Sequence, residues 1–406
     1  MAYTAKQQQA ITLAETCRVM ILTGGPGTGK TTTICGIIDR MDALGLTVAL
    51  CAPTGRAAQR MAEATGRTAQ TIHRLLGYHP HYGFTRNQDN PLSEDVIIVD
   101  EASMIDIRLM SALTAAIPDG ARLIIVGDRD QLPSVGPGRV LHDLIESGTI
   151  PTVCLTKIHR QQGGSSIIDN AHRVIHGEMP VTDNMPGQDF FWLATKPNAD
   201  GTGRHDITEE EAVSEVLSMV SDRLPRQYPG SEIQVLTPRK TDIATSADQL
   251  NPLLQDALNP HGRPMKVGQT ELREGDRTIQ TKNDYDLMRF NGDIGRVSRV
   301  QPDHKTLTVS YPDQPTHYEG IAAYRLALAY ALTIHKSQGS EYDVVVIPLL
   351  PSATVMLQRN LLYTAITRAK KVCILVGPRQ SVRQAVENWM QKERNTALGE
   401  RLTTTN

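Results

Sequence analysis

The chain has 406 residues, of which 40% are hydrophobic and 21% are charged, and its formal net charge is −2. This composition excludes a disordered chain and allows two or three domains with cores of their own. The apolar runs are too short to span a bilayer, and the first residues lack the apolar core of a signal peptide. The five scattered cysteines form no C-x-x-C pair. We therefore expect a cytoplasmic protein with no membrane contact and with reduced cysteines in its core.

The first strong pattern is a phosphate loop near the N-terminus. An apolar strand over 19–22 leads into a segment that fills every fixed position of G-x-x-x-x-G-K-[ST], and a helix follows from Thr31 to Leu44. Backbone N–H groups of such a turn surround a triphosphate at the positive end of the helix. We expect Lys30 to reach the β- and γ-phosphates and the Thr31 hydroxyl to bind Mg²⁺. The residues expected to hold ATP are Gly24, Gly25, Pro26, Gly27, Thr28, Gly29, Lys30, Thr31 and Thr32.

A second buried strand, over 47–52, ends in Pro-Thr-Gly before another helix. This places Thr54 and Arg56 at the carboxyl edge of the sheet, where open α/β sheets bind ligands. The pattern is compatible with a second ligand that carries phosphate, and equally with a Thr54 that only caps the helix. The stretch 78–93, rich in aromatic and turn-forming residues, predicts either a small inserted β-hairpin or a surface loop.

The strand over 96–99 delivers two carboxylates to the same edge. Asp100 is expected to hold Mg²⁺ through water, and Glu101 to orient and deprotonate the attacking water. Gln131 follows the next apolar strand, over 123–126. Because an amide can both donate to phosphate and accept from water, Gln131 is expected to sense the γ-phosphate, although an ordinary turn glutamine is the alternative.

The second half of the chain predicts another sheet domain with an insertion. The first domain is expected to end near Leu155, and the stretch 179–206 is expected to be a loop. A strand over 232–237 begins the second sheet, and the short alternating β patterns of 259–319 indicate a small barrel-like insertion. A single strand over 326–332 is then expected to resume the sheet.

The C-terminal part predicts a helix, a closing strand and a tail. The helix places Thr364 and Arg368 four residues apart on one face, and the strand covers 372–376. From about residue 395 the polar tail is expected to be frayed. The fold class is therefore α/β, with two doubly wound parallel-sheet domains. The expected boundaries are 1–155 for the first domain, 156–258 with 320–394 for the second, 259–319 for the insertion and 395–406 for the tail.

Ten segments together resemble the superfamily 1 helicases, and among them the RecD-like group. They occur in that family's order across nearly the whole chain, and they are GGPGTGKTT, APTGRAA, TIHRLL, DEASMID, VGDRDQLPSVGPG, IHRQ, VLTPRK, FNGDIG, TIHKSQGSEYD and LLYTAITRAKK. The resemblance implies two RecA-like domains with ATP and Mg²⁺ in the cleft between them. It also implies an SH3-like insertion at 259–319 and a strand-separating pin at 78–93.

The resemblance assigns further residues to the nucleotide. Gln7 is expected to contact adenine, Glu341 the ribose with Gly339 beside it, and Arg160 and Arg368 the γ-phosphate. A trans-acting arginine pair fits phosphoryl transfer, because it stabilises the charge that develops on the transferred group. The residues expected to contact single-stranded DNA are Thr54, Arg56, His73, Arg239, His335 and Lys336, together with Tyr82 and Phe84 of the pin, whose flat faces suit base stacking.

The expected function is that of a monomeric, ATP-dependent DNA helicase that moves 5′→3′ on single strands and at junctions with duplex. Two alternatives stay open: an RNA helicase of the same superfamily, since motifs do not read the 2′-OH, and a DNA-binding module with a degenerate ATP site. The residues that argue against the second alternative are Lys30, Asp100, Glu101, Arg160 and Arg368. RecD-like proteins often carry an extra N-terminal region, whereas this sequence opens directly on the glutamine motif, so the resemblance does not carry over any partner contact made through that region.

Overall fold

The computed structural model describes residues 3–157, 165–185, 187–200, 202–389 and 397–404. The chain divides into two compact units, one formed by Met1–Gly164 with Gln391–Asn406 and the other by Ser165–Met390. Each unit is built around one parallel β-sheet with helices on its faces.

The first unit contains a six-stranded parallel sheet in the order β3-β2-β6-β7-β1-β8. Its central strands are almost wholly buried, as expected for strands covered by helices on both faces. The strands of this unit are β1 (Val19–Gly24), β2 (Val48–Ala52), β3 (Ala69–Thr71), β4 (Tyr78–His79), β5 (Gly83–Phe84), β6 (Val96–Val99), β7 (Arg122–Gly127) and β8 (Thr152–Leu155).

The α-helices that the described residues of this unit form before the chain enters the second unit are α1 (Ala5–Thr16), α2 (Lys30–Ala43), α3 (Gly55–Thr65), α4 (Ile72–Leu75), α5 (Ile107–Ala116) and α6 (Val140–Glu146). Alternate residues of the buried strands point to opposite faces, so the sheet separates two apolar clusters. Ile21 and Ile125 belong to one cluster, and Met20 and Ile124 belong to the other.

The predicted hairpin is present, but its paired part is short. Strands β4 and β5 pair antiparallel as a separate two-stranded sheet, with Tyr78 opposite Phe84. Gly83 has a φ of 74°, a left-handed value that glycine adopts without strain. The rest of the stretch is a loop that returns to the core, where Leu92 is buried.

The second unit contains a five-stranded parallel sheet in the order β20-β12-β21-β22-β9. The strands of the whole unit are β9 (Phe190–Leu193), β10 (Thr195–Pro197), β11 (Arg204–Asp206), β12 (Ile233–Thr237), β13 (Pro264–Val267), β14 (Thr270–Arg273), β15 (Arg277–Gln280), β16 (Ile294–Gln301), β17 (Thr306–Ser310), β18 (Thr316–Glu319), β19 (Leu326–Leu328), β20 (Ala331–Thr333), β21 (Tyr342–Pro348) and β22 (Ala369–Val376). Its helices are α7 (Ser166–Ile175), α8 (Glu209–Ser218), α9 (Leu224–Gln227), α10 (Ala247–Leu258), α11 (Arg359–Ile366) and α12 (Arg379–Glu387).

The stretch 179–206 is not a loop, and the strand over 372–376 does not close the sheet, so both expectations were wrong. Strand β9 pairs in parallel with β22 and forms the edge of the sheet beyond it. Phe190 and Trp192 point into the core, and the Trp192 indole N–H donates to the Gly377 carbonyl at 2.9 Å. The burial of two aromatic side chains thus stabilises a four-residue strand, although the residues around it favour turns.

The insertion is a five-stranded antiparallel sheet in the order β18-β17-β16-β15-β19, beside the β13–β14 hairpin. The single strand expected over 326–332 is in fact two strands. Leu326–Leu328 pairs with β15 of the insertion, whereas Ala331–Thr333 pairs with β12 of the parallel sheet. Gln234 fixes the change of sheet, because its side-chain amide donates to the carbonyls of Ala329 and Tyr330 at 3.3 and 2.9 Å.

A buried carboxylate joins the insertion to the parallel-sheet part of the second unit. Asp276 is fully buried at the start of β15. It accepts hydrogen bonds from the side chains of Gln255 (2.5 Å) and Asn259 (2.7 Å) at the end of α10, and from the hydroxyl of Tyr330 (2.9 Å). The backbone N–H of Arg273 completes the set at 2.6 Å. A buried charge is tolerated when it is hydrogen-bonded in this way.

The polar tail is not frayed over its described part. Helix α13 (Leu398–Thr404) belongs to the first unit, so the chain returns there after leaving the second. Leu398 and Leu402 are partly buried against the core cluster that contains Ile21 and Ile125. Two leucines four residues apart form an apolar stripe on one side of the helix, which explains the packing.

The cysteines are unpaired, as expected, but only Cys51 and Cys373 are buried. Cys154 is exposed on β8, whose side chains alternate between core and solvent, so it is not the core residue that was expected. Within the described residues, no helix has the length and apolar character needed to cross a membrane.

Candidate nucleotide and DNA sites

The phosphate loop connects β1 to α2. Gly27 and Gly29 have φ values of 71° and 86°, which are left-handed and favour glycine. At Gly24 an added Cβ would lie 2.7 Å from the Leu155 carbonyl oxygen, so the strand end also requires glycine. The loop is held by two of its own side chains: the Thr28 hydroxyl donates to Gly25 O at 2.8 Å, and Lys30 Nζ donates to Gly24 O at 2.6 Å and to Gly25 O at 3.0 Å.

Asp100 and Glu101 follow β6 at the same sheet edge. The Asp100 N–H donates to Cys51 O of β2 at 2.9 Å, and the Glu101 N–H donates to Asp100 Oδ1 at 2.8 Å. Burial and the neighbouring Glu101 carboxylate raise the pKa of Asp100 to about 6, against the opposing effect of the Lys30 charge. Glu101 has a φ of 52°, which is unusual for a residue with a side chain and is often found at functional sites.

Gln131 lies close to β7 in a buried position. Its side-chain nitrogen donates to Asp128 at 3.3 Å, while its Oε1 is buried without a hydrogen-bond partner in the described structure. The buried Ser103 hydroxyl also has no partner there, and it lines the same small pocket as Gln131. Buried polar atoms without partners are costly, so this corner of the sheet edge can accept a hydrogen-bonding ligand or water.

Gln7 is buried at the start of α1 and contacts the phosphate loop. Its Oε1 accepts from the Thr4 N–H at 2.9 Å, which together with the Thr4 side chain forms a capping box. Its Nε2 lies 3.4 Å from Gly29 O. The structure therefore places Gln7 next to the loop, and its predicted contact with adenine stays a prediction.

The predicted DNA-binding residues of the first unit lie on two neighbouring segments. Thr54 caps α3, because its hydroxyl accepts from the Ala57 N–H at 3.3 Å, and Arg56 lies in the first turn of that helix. His73 is in α4, where burial lowers the pKa of its ring. The capping role weighed for Thr54 is thus present, and it leaves a DNA contact neither shown nor excluded.

The two aromatic residues predicted to stack on bases differ in exposure. Tyr82 is 83% exposed at the hairpin tip, with its ring stacked on His79 at 5.0 Å. Phe84 packs against the core cluster and lies 5.7 Å from the His73 ring and 5.0 Å from the Tyr78 ring. Phe84 is thus partly buried and anchors the hairpin to the core, and the stacking of a base on either ring stays a prediction.

In the second unit, Arg368 is packed next to the segment that carries Gly339 and Glu341. Arg368 is 2% exposed, and its guanidinium donates to Ser340 O at 3.1 Å and to Thr364 O at 3.2 Å. The Arg368 carbonyl accepts from the Tyr342 N–H at 2.8 Å. Gly339 is buried with a φ of 71°, and Glu341 is partly exposed. Arg160 lies outside the described residues.

The remaining DNA candidates follow two adjacent strands of the second sheet. Arg239 follows β12 and forms an ion pair with Asp242 at 3.2 Å. His335 and Lys336 follow β20, where the Thr333 hydroxyl caps a short helical turn. Burial lowers the pKa of Lys336, and the positive charge of Lys240 lowers it further. A bound anion would stabilise the charged forms of two lysines that repel each other. This is compatible with the predicted phosphate contact.

The donor set of the first unit fits ATP and Mg²⁺. It combines a glycine-lined turn, the Lys30 ammonium, the exposed Thr31 hydroxyl and the Asp100 carboxylate, and Mg²⁺ prefers such oxygen ligands together with substrate phosphates and water. The described residues contain no group of three or more His, Cys, Asp or Glu side chains that could hold a metal ion alone.

One residue of this site was missed in the sequence. The Arg60 guanidinium of α3 lies 3.7 Å from Glu101 Oε1. The spacing of four residues from Arg56 could have placed both arginines on one helix face, but nothing in the sequence indicated that Glu101 faces α3.

Three family models match the chain along its length. Residues 7–137 match an AAA domain, residues 250–311 the SH3 domain of ATP-dependent RecD-like DNA helicases, and residues 328–376 a UvrD-like helicase C-terminal domain. The ATP-dependent RecD2 DNA helicase of Deinococcus radiodurans is 42% identical over 389 residues, covering 95% of this chain and 50% of that protein. The RecBCD enzyme subunit RecD of Mycobacterium tuberculosis is 33% identical over 423 residues, covering 94% of this chain and 70% of that subunit. The chain belongs to the RecD-like helicase family.

Solved structures agree with this RecD-like fold. A Pif1 helicase from Bacteroides in complex with ADP-AlF3 and ssDNA matches with a TM-score of 0.58 and 19% identity, covering 100% of this chain and 98% of that one. A Pif1 helicase structure concerned with forked dsDNA matches with a TM-score of 0.56 and 20% identity, covering 92% of each chain. The expected fold class of two RecA-like domains with an SH3-like insertion is thus confirmed. The RecD-like chain spans about half the length of its Deinococcus relative and about 70% of the mycobacterial one.

Proposed function

We propose that this chain is an ATP-dependent DNA helicase that hydrolyses ATP in response to single-stranded DNA. The observation that carries the proposal is the edge of the first sheet, where the Lys30 loop and the Asp100–Glu101 pair meet in a RecD-like chain. Its relatives are named as a DNA helicase and as RecBCD subunits, which supports DNA as the substrate. The intact set of phosphate-binding and acidic groups argues against a binding module with a degenerate ATP site.

The proposed roles follow from the chemistry of each group. Thr31 and Asp100 would hold Mg²⁺, which would neutralise charge on the phosphates when bound. Lys30 would leave the carbonyls of its own loop for the β- and γ-phosphates. Glu101 would accept the proton of the attacking water, and Gln131 would use its amide to orient that water and the γ-phosphate.

The other nucleotide contacts rest on family membership. Gln7 would bind adenine through its side-chain amide, because an amide can pair with a base edge. Gly339 and Glu341 would contact the ribose, and Arg160 and Arg368 the γ-phosphate. Arg368 would have to exchange its contacts with Ser340 O and Thr364 O for phosphate oxygens, a change of partners that a charged ligand can drive.

The DNA contacts are proposed on charge and position. Arg56, Arg239, His335 and Lys336 would contact phosphates of a single strand, while Thr54 would donate from the start of α3. Tyr82 would stack on bases at a junction with duplex. We further propose that the protein acts as a monomer and moves 5′→3′, which rests on analogy within the family.

The test is ATP hydrolysis measured without nucleic acid, with single-stranded DNA and with single-stranded RNA. We expect strong stimulation by DNA, whereas equal or greater stimulation by RNA would favour an RNA helicase. Lys30→Ala should abolish turnover but keep most single-strand binding, because it removes only the positive charge that would contact the β- and γ-phosphates of ATP. Lys6→Ala is the control, since Lys6 is an exposed lysine in the first turn of α1. Near-normal turnover in Lys30→Ala would contradict the assignment of this site.

A further inference from the structure

The carboxylate proposed as the catalytic base faces an arginine on a neighbouring helix. Arg60 Nη1 lies 3.7 Å from Glu101 Oε1, and only 15% of the Glu101 side chain is exposed. Glu101 is held in this position by a left-handed backbone, with a φ of 52°. Strand β2, which leads to α3, lies on one side of β6, and β7, which leads to Gln131, lies on the other. The Glu101 carboxylate therefore turns toward the α3 side of the sheet edge.

Helix α3 also carries the residues proposed to contact DNA in the first unit. Thr54 is its N-cap, Arg56 is in its first turn, and Arg60 follows Arg56 by four residues, which places both arginines on one helix face. Arg56, which is proposed to contact DNA, and Arg60, which lies beside the proposed catalytic base Glu101, are thus on consecutive turns of one helix.

A second connection links the same two segments through the backbone. Cys51 of β2 pairs with Val99 of β6, and the Cys51 carbonyl accepts the Asp100 N–H at 2.9 Å. Thr54 is only three residues beyond Cys51. A shift of the β2–α3 turn therefore acts on the acidic pair at two points, through the Asp100 backbone and through the Glu101 side chain.

We propose that Arg60 is a positioning residue that holds Glu101 away from the attacking water until DNA binds to the start of α3. This inference rests on the proposed function, since it concerns the base and the DNA contacts of that same reaction. While Glu101 Oε1 lies beside the Arg60 guanidinium, the carboxylate is held on the α3 side of the sheet edge. DNA phosphates that draw Arg56 and the first turn of α3 toward them shift Arg60 as well and release Glu101.

The expected size of the effect follows from the strength of partly exposed ion pairs. Such a pair shifts a two-state population by about two- to five-fold. Arg60→Ala should therefore raise the DNA-free kcat for ATP about two- to five-fold and lower the ratio of DNA-stimulated to DNA-free kcat by a similar factor. The KM for ATP should change little, because Arg60 is not proposed to contact the nucleotide. Arg60→Lys keeps the charge and should restore most of the restraint.

The matched control is Arg67→Ala. Arg67 follows the end of the same helix and forms an exposed ion pair with Asp42, so its removal tests the loss of an arginine pair that does not involve Glu101. It should leave both kcat values unchanged. An Arg60→Ala variant with an unchanged or lower DNA-free kcat would overturn the proposal. A variant whose only defect is weaker DNA binding would also overturn it, because Arg60 would then be a DNA ligand.

These outcomes can be told apart from a failure of the proposed function. If wild-type hydrolysis does not respond to DNA, the proposed function fails whatever Arg60 does. If wild-type hydrolysis responds and the Arg60→Ala ratio matches that of wild type, only the present inference fails. Thermal unfolding of each variant separates these kinetic effects from loss of folded protein.

Discussion

Single residues of the first sheet edge carry charges that the fold does not fully balance. Asp100 is the clearest case, because burial and Glu101 raise its pKa while Lys30 only partly opposes them. Lys30 itself is held by the carbonyls of Gly24 and Gly25. The Asp100 carboxylate and the Lys30 ammonium thus lie at the same sheet edge without forming an ion pair with each other. This arrangement suits a site where a phosphate group and a metal ion would balance the two charges.

The raised pKa of Asp100 makes stability depend on pH. Its folded-state pKa of about 6 lies above its usual value of 3.8, so the folded state binds the proton more tightly than the unfolded state. Stability from this group is fully present below about pH 4 and is lost as the pH rises through about 6. Asp100→Asn should therefore be more stable than wild type at pH 7, by about 1–3 kcal/mol, and the difference should vanish near pH 4. Thermal unfolding with a metal chelator, from pH 4 to 7.5, measures it.

Asp95→Asn provides a control of opposite sign. The pKa of Asp95 is lowered, first by the backbone N–H of Thr47 and then by the Thr47 hydroxyl. A lowered pKa gives stability that is present above the usual value and is lost as the pH falls, so Asp95→Asn should be less stable than wild type at pH 7. If Asp100→Asn has the same pH profile as wild type, the carboxylate is not destabilised by its surroundings.

Among the elements, the hairpin of β4 and β5 divides into an exposed tip and a partly buried base. Tyr82 and His79 form a stacked pair at the tip, whereas Phe84 packs against the core and the Arg86 N–H donates to Leu76 O at 3.0 Å. Only the tip can be changed without disturbing the sheet below it. A test of strand separation should therefore be confined to Pro80–Tyr82.

Replacing Pro80–Tyr82 by Gly-Ser-Gly should leave DNA-stimulated ATP hydrolysis near normal and strongly reduce unwinding of duplex. The reason is that the tip lies outside the nucleotide site, while a base stacked on Tyr82 is worth about 1–3 kcal/mol. Tyr82→Ala alone should lower the unwinding rate about tenfold, within that range. A strand-displacement assay beside an ATPase assay measures both. Phe84→Ala is the contrasting variant, which should lower the unfolding temperature instead. Full unwinding without the tip would make this stretch a surface loop.

Sequence patterns predicted elements where one segment carries the whole signal. The phosphate loop requires glycine at positions 27 and 29 and lysine at position 30. These residues lie within one short segment, so the sequence alone predicts the loop. The split of 326–332 into two strands could not be predicted, because both halves are equally apolar and the change of sheet is fixed by side chains distant in sequence, among them Gln234 and Asn251. The contact of Arg60 with Glu101 could not be predicted either, because it depends on the direction of the Glu101 side chain, which points toward the helix that follows the neighbouring strand β2.

At the scale of the whole molecule, the chain forms two units and crosses between them twice, since α13 returns to the first unit. The direction of movement is a property of this whole, and it rests here on family membership. We expect unwinding of duplexes with a 5′ single-stranded tail and little or none with a 3′ tail. A strand-displacement assay with both tails, and with a blunt duplex as the control, measures the preference. Unwinding of 3′-tailed duplexes alone would contradict it.

The buried Asp276 has a consequence for exchanging parts between relatives. Its hydrogen-bond donors include Gln255 and Asn259, which precede the first strand of the insertion, and Tyr330, which follows the last. A chimera joined at Pro264 and Leu328 would move the carboxylate without three of its donors and leave a buried charge with too few partners, at a cost of several kcal/mol. The segment that can be transferred is the longer one, from Gln255 to Tyr330. Recombination at the ends of the antiparallel strands would separate Asp276 from these hydrogen-bond donors.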